Sequence, residues 1–153
     1  VDTAASVHED RGNPRRSSDV MQTASTLSLF FAAGAFGGLV NSLAVWICGE
    51  LGLTGALGVA IAPDLTAAWL YPRIVWGGLW GFLFALPLGA TSTLRRGLLL
   101  SLAPAAFQLF FFYPRAGHGH LGLERGVLTP VCVLLFSAVW GVAASWWLRG
   151  TKG

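Results

Sequence analysis

The side chains in this sequence that could do chemistry are few, and most stand at the ends of long apolar runs. Arg73 follows Tyr71-Pro72 and precedes IVWGGLWGFLFALPL, so its guanidinium is expected at the rim of an apolar segment. A planar guanidinium suits a carboxylate or a phosphate, which it can hold through two parallel hydrogen bonds. Asp64 lies nine residues earlier. That separation is not the three or four of a helical pair, so pairing the two requires a chain break, which Pro72 could supply. Glu50 is a second possible partner, and a lipid phosphate a third. Without a partner, Arg73 can extend its charged head to water from a buried stem.

Asn41 and Gln108 are side-chain amides inside apolar runs. Such groups can line a polar pocket, or they can bond a neighbouring helix for about 0.6 kcal/mol. With Asp64 and Arg73 they form the candidate binding set. Cys48, Cys132, His118 and His120 are weaker candidates. Thiolates and imidazoles are the ligand types of zinc and copper, and two thiols can close one disulfide. Their spacing fits no known metal motif, so neither a metal nor a cofactor is expected.

Other chemistry lacks its residues. No apolar run carries Asp, Glu or Lys near its centre, which leaves a proton-coupled carrier without its acid. No run contains a histidine for haem. The signatures of a phosphate loop, a zinc protease helix and a nucleophile elbow are missing. The connecting segments are too short to house a catalytic domain, and the chain reads as a non-enzyme.

The elements that would position these residues follow from composition. Hydrophobic residues make up 54% of the 153 and charged residues 11%, against about 45–50% and about 25% in soluble domains. The net charge of +3 suggests no nucleic-acid partner, because the basic residues sit at the ends of apolar runs and form no stripe. Four runs are candidates to cross a membrane: Leu27 to Cys48, Ile74 (or Pro72) to Leu88, Gly97 to Tyr113, and Val127 to Leu148. The first has 22 residues, enough at about 1.5 Å per residue for a hydrocarbon core of about 30 Å. Residues 51–61 are too few to cross and suit an interfacial or re-entrant segment. Asp64 is expected to cap the helix through Trp69, and Pro104 to kink the third run. Gly34 and Gly38 form GxxxG, a face that admits another helix closely, from this chain or from a second copy.

The expected fold is therefore all-α, an integral membrane bundle of four transmembrane helices plus a short interfacial or re-entrant helix. Residues 1–26 read as a disordered polar tail, 27–149 as the transmembrane domain and 150–153 as a short tail. If the N-terminus, the Arg95-Arg96 turn and the C-terminus share a side, that side carries seven basic residues and the other carries three. Both termini are then cytoplasmic. A start at Met21 reduces the count to four against three.

The stretches GGLVNSLAVWICGELG and APDLTAAWLYPRIVWGGLWGFLF resemble small bacterial inner-membrane proteins of unassigned function. The resemblance extends over most of residues 30–150. It implies four helices and a bacterial inner membrane, and brings no activity or site residues. Three functions fit. The first is a non-catalytic membrane protein that packs in the bilayer against itself or a larger membrane partner. The second is a small transporter or channel with a polar pocket near Asn41, Arg73 and Gln108. The third is an outward-facing metal or redox protein using Cys48, Cys132, His118 and His120.

Overall fold

An apolar segment that leaves water must satisfy its own backbone, and a helix does so within one stretch of chain. The structure, a computed structural model, describes residues 14–88 and 92–151, with side chains from residue 17 onward. All regular structure among the described residues is helical. Three helical stretches are long and apolar enough to cross a membrane: Ser17–Glu50, Thr93–Arg115 and Thr129–Gly150.

Helix α1 runs from Pro14 to Glu50. The disordered tail expected through residue 26 is thus corrected from Pro14 onward, while residues 1–13 lie outside the described residues. The added segment is largely polar in sequence and exposed from residue 17 on, so hydropathy does not register it. Extending an existing helix adds one bond per residue without a new nucleus. The hydroxyls of Thr23, Thr26 and Ser28 each donate to the carbonyl four residues back at 2.9 Å. Gly52 then reverses the chain at φ +68° into the short helix α2, Leu53–Ala56. Residues 58–66 follow as an extended strap across that end of the bundle. Thr54 Oγ1 donates to Ile61 O at 2.6 Å, and Val59 is buried beneath.

Helix α3, Ala67–Gly81, is capped by Thr66, whose Oγ1 accepts from Trp69 N at 3.2 Å. Asp64, the expected cap, lies two residues too early and is exposed. Pro72 does not break this helix. A proline there removes only the bond to the carbonyl four residues back, and α1 packs along the helix on both sides of it. A 3-10 turn, Phe82–Ala85, closes the element, and Arg96 Nη2 donates to the carbonyls of Phe84 and Leu86. A cation there satisfies the orphan carbonyls of a helix end.

The third long stretch is segmented. Helix α4, Thr93–Leu100, yields at Ser101 to α5, Leu102–Phe107, and a π-turn over Gln108–Phe112 leads into α6, Tyr113–Arg115. The interruption at Ser101 is the effect of Pro104, which leaves the Leu100 carbonyl without its usual donor. A 3-10 turn, His120–Arg125, connects to α7, Thr129–Gly150. Gly150, expected to open the C-terminal tail, still belongs to α7, and residues 152–153 lie outside the described residues.

Small residues set how these helices meet. Helix α3 runs antiparallel to α1, with Gly77 and Gly81 against Gly34 and Gly38. A Cβ on Gly38 would stand 2.7 Å from the Arg73 carbonyl, and one on Gly77 would stand 2.7 Å from the Gly34 carbonyl. The GxxxG face of α1 is therefore filled by a helix of the same chain. Trp140 of α7 covers the adjacent Gly37, and its Nε1 donates to Gly34 O at 3.0 Å. A second seam joins α4 and α7 through Gly97 and Ser101 against Gly141 and Ser145. Ser145 Oγ donates to Thr93 O at 3.0 Å across it. Ala33, Phe84, Leu100, Trp140, Ala144 and Leu148 make the core where α1, α4 and α7 converge.

Candidate functional site

Arg73 faces α1 from the first half of α3. Its Nε donates to Ser42 Oγ at 3.0 Å, and Ser42 passes a bond of 2.7 Å to Gly38 O. The Ser42 hydroxyl thus fixes the guanidinium to the backbone of α1. The guanidinium carbon lies 4.7 Å from the centre of the Trp69 ring, a cation–π distance. The two terminal nitrogens make no hydrogen bond to any described residue. No described carboxylate pairs with Arg73. Asp64 and Glu50 are both exposed at the end of the bundle, and the anticipated chain break between Asp64 and Arg73 is absent because the helix is continuous through Pro72.

Two adjoining cavities of about 350 and 630 Å³ open beside Arg73, within the ~300–1,000 Å³ common for small-molecule sites. Asn41 from α1, Arg73 from α3 and Gln108 from the π-turn line both of them. Asp64 lines neither. The π-turn sets the position of Gln108. In that register residues five apart align, so its Nε2 reaches Tyr113 Oη at 3.1 Å. Asn41 Oδ1 is buried with no hydrogen-bond partner. Leaving such an acceptor unsatisfied costs roughly 1–3 kcal/mol. Rotating the amide exchanges this acceptor for the NH₂ donors, so Asn41 can offer the cavity either polarity.

The charge around the cavities is of one sign. Arg125 lines the smaller and Arg115 the larger, each together with Arg73, and no Asp or Glu is among the residues lining either one. Arg125 Nη1 donates to Ala60 O at 2.8 Å, its Nη2 lies 2.8 Å from His118 Nε2, and its buried Nε has no partner. The Arg115 guanidinium sits 4.5 Å above the Phe111 ring. Cations held in a partly desolvated cleft without a counter-ion create a potential that favours a bound anion.

The four weaker candidates do not converge. His118 is engaged with Arg125, and His120 is exposed. Cys48 and Cys132 are both free thiols, half-buried and buried. No group of three His, Cys, Asp or Glu comes together among the described residues. Several cavity residues escaped the sequence reading. Ser42 adjoins Asn41 in sequence but carries no charge to mark it. Arg115 and Arg125 entered only as threading charges, although both flank the glycine-rich loop that folds them back over the cavity. No protein-family model, curated protein or solved structure matches the chain.

Proposed function

We propose that this chain is a non-catalytic membrane protein of four crossings that binds an anion between Arg73, Arg115 and Arg125. The observation that carries the reading is the gathering of three guanidinium groups, with the amides of Asn41 and Gln108, around adjoining cavities lined by no carboxylate. The cavities hold no nucleophile paired with a base, so the chemistry on offer is recognition. The anion class is a tetrahedral oxyanion or a carboxylate, which a guanidinium fork fits.

The fourth crossing is α3 with its 3-10 turn, fifteen and four residues. At about 1.5 and 2.0 Å per residue these reach roughly 30 Å, the thickness of a hydrocarbon core. Four antiparallel crossings put both termini on one side. The arginine excess there, with the resemblance to bacterial inner-membrane proteins, favours a cytoplasmic location for them. The strap and α2, with Leu51, Leu53 and Leu57 exposed, then lie at the opposite interface. The surrounding partner is lipid: Phe110 and Val127 are 68% and 82% exposed, which suits a hydrocarbon environment.

Reporter fusions after Arg96 and after Lys152 should read cytoplasmic, and one near Gly119 periplasmic; a periplasmic signal at Arg96 sinks the threading. For the site, melting in phosphatidylcholine nanodiscs should rise with added phosphate or sulfate. Stabilisation by linkage reaches about 2.7 kcal/mol at a hundredfold excess over the dissociation constant. An unchanged melting temperature up to saturating phosphate would overturn the anion reading.

A further inference from the structure

We propose that the occupant of the larger cavity is an anionic membrane lipid, its phosphate between Arg73 and Arg115 and one acyl chain along Trp76, Trp80 and Phe107. The inference rests on the anion reading above and adds the identity of the ligand. It starts from the order of residues along two antiparallel helices. Descending α3 from the strap, the lining passes Trp69 and Pro72 to Arg73 and then Trp76 and Trp80; descending the third stretch from the same end, it passes Arg115, then Phe111, Gln108 and Phe107 to Pro104. Below each cation the lining is mainly aromatic, with Gln108 the polar side chain among it, and Trp69 lies against the Arg73 guanidinium. Arg73 to Trp80 and Arg115 to Phe107, seven and eight residues, cover about 10–12 Å at ~1.5 Å each. The cavity therefore has a cationic head and an apolar body, and its axis runs along the helices.

The groove exists because α3 and α5 meet little along their backbones. Trp76 and Trp80 instead reach the Phe107 ring, at 5.9 and 5.7 Å between centroids. These rings form the groove's floor. Trp76 and Phe111 remain about half exposed, at 52% and 47%, so the groove opens sideways, where a lipid enters without leaving the bilayer. A soluble anion would need only the cationic end. An uncharged apolar ligand would leave two guanidinium groups unmatched. A phospholipid with negative net charge satisfies both halves, and in its ordinary orientation it places phosphate at the rim and chain toward the bilayer centre. Arg73 and Arg115 can both donate to phosphate oxygens, and attraction of a basic residue to anionic lipid is a known contribution at the membrane surface.

The test uses the full chain in phosphatidylcholine vesicles and reads tryptophan quenching by lipids brominated on one acyl chain. The groove signal is the part lost in Trp76→Phe. Brominated phosphatidylglycerol should half-quench this signal at a mole fraction roughly fivefold lower than brominated phosphatidylcholine. Arg73→Gln should erase the difference. Arg115→Gln, at an exposed position without a hydrogen bond to any described residue, should also erase it and guards against misfolding of the first variant. Arg149→Gln, exposed near the other end of α7, should leave the preference intact. Equal midpoints for the two lipids in the unaltered protein overturn the inference, as does self-association that shields Trp76 from both. Loss of the preference in Arg149→Gln to the same degree also overturns it, since the effect would then be overall charge. Phosphate stabilisation with equal lipid midpoints leaves the anion reading standing and removes the lipid; neither effect removes both.

Discussion

Gly81→Leu is expected to collapse the packing of α3 on α1 and to lower the melting temperature in detergent more than any substitution in the cavity. A Cβ at Gly81 would strike the Phe30 carbonyl oxygen and stand 3.0 Å from Gly34 Cα and 3.1 Å from Gly34 N. All three are backbone atoms, so no rotamer change relieves the contact. The helices must separate, and every neighbour in the seam loses its dispersion contacts together. Overpacking a core typically costs about 1–3 kcal/mol, and backbone opposition puts this case at the upper end or beyond. Against a typical stability of about 5–15 kcal/mol, that is a large fraction. Gly97→Val should act likewise at the α4–α7 seam, where the new atom would meet Ser145 Oγ and Gly141 O. Gly55→Ala is the control: nothing lies within 4 Å of its Cβ position, and it should be neutral or slightly stabilising. Equal melting of Gly81→Leu and the unaltered protein would disprove the seam.

Arg73→Ala should produce the largest functional loss with little penalty to the empty protein. The Arg73 guanidinium makes one hydrogen bond, to Ser42 Oγ, and faces no described carboxylate. Removing a partly desolvated cation that lacks a counter-ion relieves a cost as well as losing a contact. The ligand-free melting temperature should therefore hold or rise. The stabilisation by phosphate should fall by tenfold to about a hundredfold in affinity, the worth of a hydrogen bond to a charged group at roughly 1.5–3 kcal/mol. Arg73→Lys keeps the charge but loses the planar fork, so it should fall between. Asp64→Asn should change neither quantity, and the Arg73→Ala/Asp64→Asn double variant should be additive. Coupling between the two would restore the ion pair that the continuous helix denies.

The apolar runs were readable because hydropathy needs only a count along the chain. Leu27 to Cys48 lies within α1 and ends two residues before it does, and Val127 to Leu148 matches α7 to within two residues at each end. What the count cannot see is a polar helix, and Pro14 to Thr26 is one. Local chemistry placed the α3 cap at Asp64 rather than Thr66, since both are good caps and only the extended backbone of Thr66, at φ −115° and ψ 155°, decides between them. At the site, Asn41, Arg73 and Gln108 stood out as polar groups in apolar company, and they share the same cavities. Opposite charge and an intervening proline make Asp64 a candidate partner for Arg73, but the helix runs on through Pro72 and leaves the two apart. The π-turn at Gln108 and the fold-back of Arg125 arise from tertiary register, and no single-residue signal announces either. The seam of Gly97, Ser101, Gly141 and Ser145 shares the four-residue spacing of GxxxG, but a serine at one end of each pair keeps it out of that motif.

The strap and the loop after α6 are joined by reciprocal bonds: Ala60 N donates to Arg125 O at 2.7 Å, and Arg125 Nη1 returns a bond to Ala60 O at 2.8 Å. Gly126, at φ +138°, lies against the Gly58 carbonyl close by. Two connections more than sixty residues apart in sequence therefore behave as one cooperative unit. They roof the smaller cavity together, since Ala60, Ile61, Ala62 and Arg125 all line it. An anion that draws the Arg125 side chain inward must break its bond to Ala60 O, so filling the smaller cavity is expected to loosen the roof. The expected signature is faster hydrogen exchange at the Ala60 amide when phosphate is added.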